Sequence, residues 1–120
     1  MSLKINIRPK QGVSILDLSG RITLGEASGS LRDTIRELAN QGNVNILFNL
    51  AEVSYIDSSG LGELVGAFAT VTNRGGRMKL LNLQKKVHEL LQITKLYTVF
   101  ESYSDEAEAL RSFQPLSAAQ

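Results

Sequence analysis

The chain opens with two segments whose apolar residues recur with the spacing of β-strands. Residues 3–8 alternate apolar and polar side chains, as expected of a strand with one face in water. Residues 13–18 are rich in aliphatic side chains and end at Ser19-Gly20, a turn signal. Residues 9–12 contain proline and glycine and separate the two segments. The pattern predicts an opening β-hairpin.

Apolar residues in two later segments follow the period of a helix. The first helix is predicted from Glu26 to a stop at residues 40–42. The second begins after Asp57 and ends at residues 73–76, whose paired glycines permit a left-handed C-cap. We expect the inward faces to carry Leu31, Ile35, Leu38 and Ala39 in the first helix, and Leu61, Leu64, Val65, Phe68 and either Val71 or Thr72 in the second.

Shorter elements alternate through the rest of the chain. Strands are predicted at residues 44–50, 78–83 and 97–100, where aliphatic or aromatic side chains dominate. A third helix is predicted around residues 87–91, and a fourth starts at residues 104–106, where acidic side chains suit the helix dipole. The expected inward residues are Val87, Leu90 and Leu91 in the third helix and Ala107, Leu110 and Phe113 in the fourth.

The order of these elements favours an α/β fold with a small mixed β-sheet covered by helices. Residues 20–25 form a short segment between glycines that adds an optional third strand, and residues 51–57 are read as a link. Strands that alternate with helices at short spacing pair in parallel, whereas the opening hairpin is antiparallel. We expect a single domain over residues 1–114 and a C-terminal tail over residues 115–120.

Composition narrows the classes of function. Thirteen basic and twelve acidic residues nearly cancel, and the basic residues are scattered, so neither nucleic acid nor a membrane is an expected partner. The absence of cysteine excludes disulfides and thiolate chemistry, and a single histidine cannot build a histidine-rich metal site. We expect no cofactor and no metal. The first residues lack the apolar region of a secretory signal, which favours a cytoplasmic protein.

The start of the second helix is the candidate functional segment. Asp57, Ser58 and Ser59 are residue types that cap helices, and Gly60 and Gly62 follow at positions where glycine costs a helix about 1 kcal/mol relative to alanine. Exposed backbone there would let a partner or an anion approach unpaired N–H groups. A phosphate on either serine would add nearly two negative charges beside an existing carboxylate. A simple N-cap cluster is the alternative interpretation.

Residues 55–62, with the sequence YIDSSGLG, resemble the signature loop of STAS-domain proteins, specifically of anti-sigma factor antagonists. Residues 44–53, 74–80 and 91–96 resemble that family's central strand, the turn into its next strand and the segment after its third helix. The likeness extends from about residue 3 to residue 113. It implies a STAS-like fold and a binding module rather than an enzyme.

The resemblance also implies a switching mechanism. In that family the serine directly after the aspartate is phosphorylated by an anti-sigma factor that is also an ATP-dependent serine kinase. Carried over, Ser58 is the phosphorylation site. The dephosphorylated protein sequesters the kinase and releases a sigma factor, and a metal-dependent serine phosphatase resets the phosphorylated form. The implied partner-binding residues are Asp57, Ser58, Ser59, Gly60, Leu61, Gly62 and Glu63, with Thr23, Leu24, Gly25 and Glu26 in the neighbouring loop.

Two alternatives stay open. Many members of that family carry an aspartate where this chain has Thr23, so a non-switching scaffold protein in a larger signalling complex is the first alternative, although Glu26 offers a carboxylate one turn later. The second is a serine hydrolase that uses Ser59 with Asp57 and His88. We expect His88 on the exposed side of its helix, and no Gly-x-Ser-x-Gly segment supports this reaction.

Overall fold

A five-stranded mixed sheet organises residues 3–114, the part of the chain that the computed structural model describes. The strands lie in sequence order, the first pair is antiparallel and the others pair in parallel. The α/β class, the opening hairpin and the mixed sheet are therefore confirmed. The elements are β1 (Lys4–Lys10), β2 (Val13–Ile22), α1 (Glu26–Asn40), β3 (Asn45–Ile56), α2 (Ser58–Asn73), β4 (Arg77–Leu81), α3 (Lys85–Thr94), a 3₁₀ turn (Leu96–Thr98), β5 (Ser102–Tyr103) and α4 (Glu106–Arg111).

Side chains from the sheet enter two apolar clusters, one on each face. Phe48 and its neighbours pack against α1, α2 and α3, whereas Leu47 lies in a smaller cluster with Leu110 and Phe113 from the C-terminal segment. The central strands are thus buried on both faces, which explains why their sequences are nearly continuous apolar runs. The residues predicted inward on the first helix, Leu31, Ile35, Leu38 and Ala39, are all buried.

Parallel pairing brings the ends of β2 and β3 together. The register places Ile22 beside Ile56, so the loops that follow the two strands lie next to each other at one edge of the sheet. The strand predicted at residues 44–50 is in fact longer, because residues 51–56 continue it beside the end of β2 instead of forming a link. For the same reason the optional strand at residues 20–25 is not separate, since β2 itself reaches Ile22.

The strand predicted at residues 97–100 is wrong. Lys95 adopts a left-handed conformation with φ of 62°, which ends α3 and turns the chain into the 3₁₀ turn. Phe100 is buried against Phe68 with the rings edge to face. The last strand lies at Ser102–Tyr103, where it pairs with the end of β4.

Two residues predicted inward are exposed. Val65 is 39% exposed because the buried stripe of α2 runs through Leu64, Ala67 and Val71. Ala107 is exposed because α4 begins at Glu106 and turns its later residues towards the sheet, including Ala109. Of the two alternatives at the end of α2, Val71 is buried and Thr72 is exposed. The other predicted inward residues are buried or half-buried, namely Leu61, Leu64, Phe68, Val87, Leu90, Leu91, Leu110 and Phe113.

The paired glycines after α2 serve two different needs. Gly75 has φ of 82° and forms the predicted left-handed C-cap. A Cβ on Gly76 would lie 2.0 Å from the carbonyl oxygen of Val44, so the chain needs a bare backbone there. The predicted tail, residues 115–120, lies outside the described residues. Within residues 3–114, no helix is both long and apolar enough to cross a membrane.

Candidate functional site

Asp57 is the N-cap of α2. Its backbone is extended, with φ of −91° and ψ of −176°, and its Oδ1 accepts the backbone N–H of Gly60 at 2.8 Å. The hydrogen bond from the backbone N–H of Gly60, and to a smaller extent that from Leu24, holds the pKa of the Asp57 carboxyl below its usual range. The carboxylate therefore stays ionised at the end of the helix where the dipole favours negative charge.

The same carboxylate ties a second loop to the start of α2. Oδ2 of Asp57 accepts the backbone N–H of Leu24 at 3.1 Å, although the two residues are 33 positions apart in sequence. The backbone N–H of Asp57 donates to the carbonyl oxygen of Ile22 at 3.2 Å. These two contacts join residues 22–25 and residues 57–60 into one surface, which we call the two-loop surface.

Glycine has a different structural role at position 60 than at position 62. A Cβ on Gly60 would lie 2.1 Å from the carbonyl oxygen of Ile22, so this buried glycine allows α2 to start close against β2. A Cβ on Gly62 would have nothing within 4 Å. The interpretation that both glycines expose backbone to a partner is thus wrong for Gly60, whose bare backbone meets the protein's own main chain.

The serines stand at the first two helical positions. Ser58 is exposed and Ser59 is half-buried. Ser58 is therefore accessible from solvent, and it directly follows the ionised Asp57 in the chain. A phosphate at this position would lie at the positive end of the helix dipole and outside the packed core.

The remaining predicted site residues surround these serines. Leu24 is 76% exposed at the tip of its loop. Gly25, with φ of 105°, and Glu26 are exposed, whereas Thr23 is half-buried. Leu61 is half-buried against the main core and Gly62 is exposed on α2. The structure therefore places a large apolar side chain on the same surface as the exposed serine.

Glu63 lies on α2 one helical turn after Ser59. Its carboxylate accepts from the Arg32 guanidinium, with Nη2 to Oε2 at 2.5 Å, and so joins α2 to α1. Glu63 was among the predicted site residues and Arg32 was not, because the local sequence pattern does not show which residues of two neighbouring helices meet.

A second pair missed in the sequence flanks the two-loop surface. Arg21 and Tyr55 lie opposite each other near the ends of β2 and β3, and the Arg21 guanidinium carbon is 5.1 Å from the centre of the Tyr55 ring. Tyr55 is 42% exposed. Both residues come just before one of the two loops in the sequence. That position could have identified them only if the pairing of β2 with β3 had been known.

The geometry gives no support to the hydrolase alternative. His88 is exposed on α3, as predicted. Both carboxylate oxygens of Asp57 accept backbone N–H groups, so Asp57 is not oriented to hold a histidine. Across residues 3–114, no group of three or more histidine, cysteine or acidic side chains is arranged to hold a metal ion.

Known proteins are similar to this chain in sequence. A family model described as STAS domain matches residues 4–109. The anti-sigma F factor antagonist of Paenibacillus polymyxa is 29% identical over 118 residues, which cover 98% of this chain and 100% of that protein. The anti-sigma-B factor antagonist of Bacillus subtilis (strain 168) is 33% identical over 101 residues, which cover 84% of this chain and 91% of that protein.

A solved structure agrees with these relatives at the level of the fold. The Bacillus cell fate determinant SpoIIAA in its phosphorylated form superposes with a TM-score of 0.73 at 23% identity, covering 92% of this chain and 100% of that chain. The family match spans every strand and nearly all of the four helices described above. By sequence and by architecture, the chain belongs to the STAS domain family.

Proposed function

We propose that the protein is an anti-sigma factor antagonist, a binding module rather than an enzyme, that sequesters an anti-sigma factor and so releases a sigma factor. Two relatives that match most of the chain carry that name. The observation that carries the proposal is the two-loop surface, in which one carboxylate holds two loops in a single arrangement. A preordered surface binds with a smaller loss of conformational entropy than two independent loops would.

We assign the partner contact to residues 23–26, 57–59 and 61–63, and leave out the buried Gly60. Leu24 is the exposed large apolar side chain of this set, and transfer of an exposed leucine side chain into an interface contributes about 1.5–3 kcal/mol. Around it lie backbone N–H groups at the start of α2 and the exposed hydroxyl of Ser58. This mixture of one apolar anchor and polar groups suits a protein partner better than a small substrate.

Ser58 is proposed as the switch, phosphorylated by an anti-sigma factor that is also a serine kinase and reset by a serine phosphatase. One structural relative is known in a phosphorylated form. Ser58 is exposed, so a phosphate needs no rearrangement of the core. It would stand beside the ionised Asp57, and the added charge and bulk would expel a partner fitted to the hydroxyl form.

The test uses the full chain and the anti-sigma factor encoded in the same organism. With ATP and Mg²⁺, intact mass should show one phosphoryl group on the wild-type protein and on Ser59→Ala, and none on Ser58→Ala. Calorimetry should give similar affinities for wild type and Ser58→Ala, and an affinity at least about tenfold lower for Ser58→Asp, because the charge sits in the interface. Equal affinities of Ser58→Ala and Ser58→Asp would show that this serine is not the switch.

A scaffold without a switch is the second candidate. Thr23, a neutral residue, is the feature that favours it. A stable complex that never acquires a phosphoryl group would support this candidate over the switching module. Phosphorylation followed by release from the complex would exclude it.

A further inference from the structure

A groove lies between α1 and α2, beyond the end of the two-loop surface. Its volume is about 550 Å³. The ion pair between Arg32 and Glu63 bridges it near the start of α2, and a hydrogen bond of 3.1 Å from Arg74 to Asn40 bridges it near the end. Glu63 lies in α2 and Arg74 follows its last residue, so the two bridges are about 16 Å apart along the helix axis. The groove is therefore bounded at both ends.

The lining of the groove is positively charged. Arg32, Arg36 and Arg74 contribute three guanidinium groups, against the single carboxylate of Glu63. The whole chain carries a net charge of only +1, so this is a local concentration of positive charge. Arg36 lies one helical turn after Arg32, and its side chain makes no hydrogen bond or ion pair with any other of residues 3–114. The middle of the groove thus holds a guanidinium without a carboxylate.

Two glycines of α2 line the same groove. Gly62 and Gly66 are one turn apart, and a Cβ added to either would have nothing within 4 Å. The protein's own packing does not require glycine at these positions, in contrast to Gly60. Glycine inside a helix costs about 1 kcal/mol relative to alanine. What the glycines provide is room for another chain to approach the backbone of α2.

We propose that this groove receives an acidic segment of the anti-sigma factor, with a carboxylate of that segment paired to Arg36. The inference rests on the proposed function and extends its interface along α2. Charge complementarity favours an acidic occupant, because a guanidinium binds a carboxylate through two parallel hydrogen bonds. Continuity favours the same partner, because Gly62 and Glu63 belong both to the groove and to the proposed contact. A segment laid between two helices is a common mode of peptide recognition.

Charge reversal tests the pairing. We expect Arg36→Glu to weaken binding of the full chain to the anti-sigma factor by about tenfold or more. Arg36→Lys should have a smaller effect, because lysine keeps the positive charge but cannot form the two parallel hydrogen bonds. The matched control is Arg111→Glu, an equal charge change at an exposed position of α4, on the other face of the sheet. It should change the affinity less than about twofold. The affinity of wild type should fall more steeply with salt than that of Arg36→Gln.

Filling the groove tests its shape. Gly66→Ala should raise the urea midpoint of the protein, since alanine favours the helix, and should still weaken binding by about threefold or more. If Gly66→Ala is more stable than wild type and still binds more weakly, the loss of affinity reflects docking in the groove and not a damaged fold. Wild-type affinity for both Arg36→Glu and Gly66→Ala would overturn the inference and leave the proposed function standing. Failure of the wild-type chain to bind any anti-sigma factor of its organism would overturn both.

Discussion

Replacement of Gly60 by alanine would place a methyl group in the contact between the start of α2 and the end of β2. The new Cβ would lie 2.1 Å from the carbonyl oxygen of Ile22 and 2.7 Å from its Cγ2. Favourable contacts between heavy atoms lie at about 3.5–4.0 Å, so α2 has to move by roughly 1 Å. The nearest atom belongs to the main chain and cannot rotate away. The displaced carbonyl also accepts the backbone N–H of Asp57.

The cost follows from these contacts. Insertion of a methyl group into a packed contact costs about 1–3 kcal/mol, and loss of one hydrogen bond costs about 1 kcal/mol. The better helix propensity of alanine returns up to about 1 kcal/mol. We therefore expect Gly60→Ala to lower the free energy of unfolding by about 2 kcal/mol. With a urea m-value of about 1–2 kcal/mol/M, the midpoint should fall by about 1–2 M.

Gly62→Ala is the matched control, two residues further along the same helix. Its methyl group would have nothing within 4 Å, so the midpoint should stay the same or rise. Urea titrations followed by circular dichroism should show equal m-values and a clear separation of the two midpoints. If Gly60→Ala and Gly62→Ala unfold at the same urea concentration, the close approach of β2 to α2 does not constrain this position.

Two further predictions concern the face of the sheet that α4 covers. Lys79 is buried and donates to the carbonyl and hydroxyl oxygens of Ser112 at 2.9 Å. Lys79→Met should therefore lower the free energy of unfolding by about 1–3 kcal/mol and lower the melting temperature. An unchanged melting temperature would contradict this. Hydrogen bonds from Arg8 hold the pKa values of Asp17 and Glu106 below their usual range. Both carboxylates therefore stabilise the fold above about pH 4 and lose that contribution as the pH falls through their lowered pKa values. Urea titrations between pH 7 and pH 3 should show a smaller loss of stability in Arg8→Met than in wild type; an equal loss would contradict the assignment.

The spacing of apolar residues correctly predicted the elements in which buried and exposed residues alternate with a regular period. α1 shows a buried stripe with helical spacing, and each of its four predicted core residues is buried. β2 and β3 contain nearly continuous apolar runs because alternate residues enter clusters on opposite faces of the sheet. In such elements the apolar residues are the buried residues, so the local sequence pattern is sufficient to predict the element.

Pattern failed where long-range pairing decides the structure. Residues 97–100 have the composition of a strand, but the left-handed turn at Lys95 directs them into a 3₁₀ turn, and strand pairing with β4 begins only at Ser102. Residues 51–56 were interpreted as a link between a strand and a helix, yet β2 supplies hydrogen-bonding partners for them. Propensity says little about a segment whose partner lies 30 residues away in sequence.

The same limit applies to the candidate site. The N-cap role of Asp57 follows from its residue type and its place before a helix, and the structure confirms it. Its second hydrogen bond, to Leu24, exists only because the parallel register sets Ile22 beside Ile56. A carboxylate has two oxygens, and here one holds the helix start while the other holds the neighbouring loop. The arrangement of Leu24 is therefore coupled to the residue that adjoins Ser58, and under the proposed switch a phosphate would add its charge directly beside this coupling point.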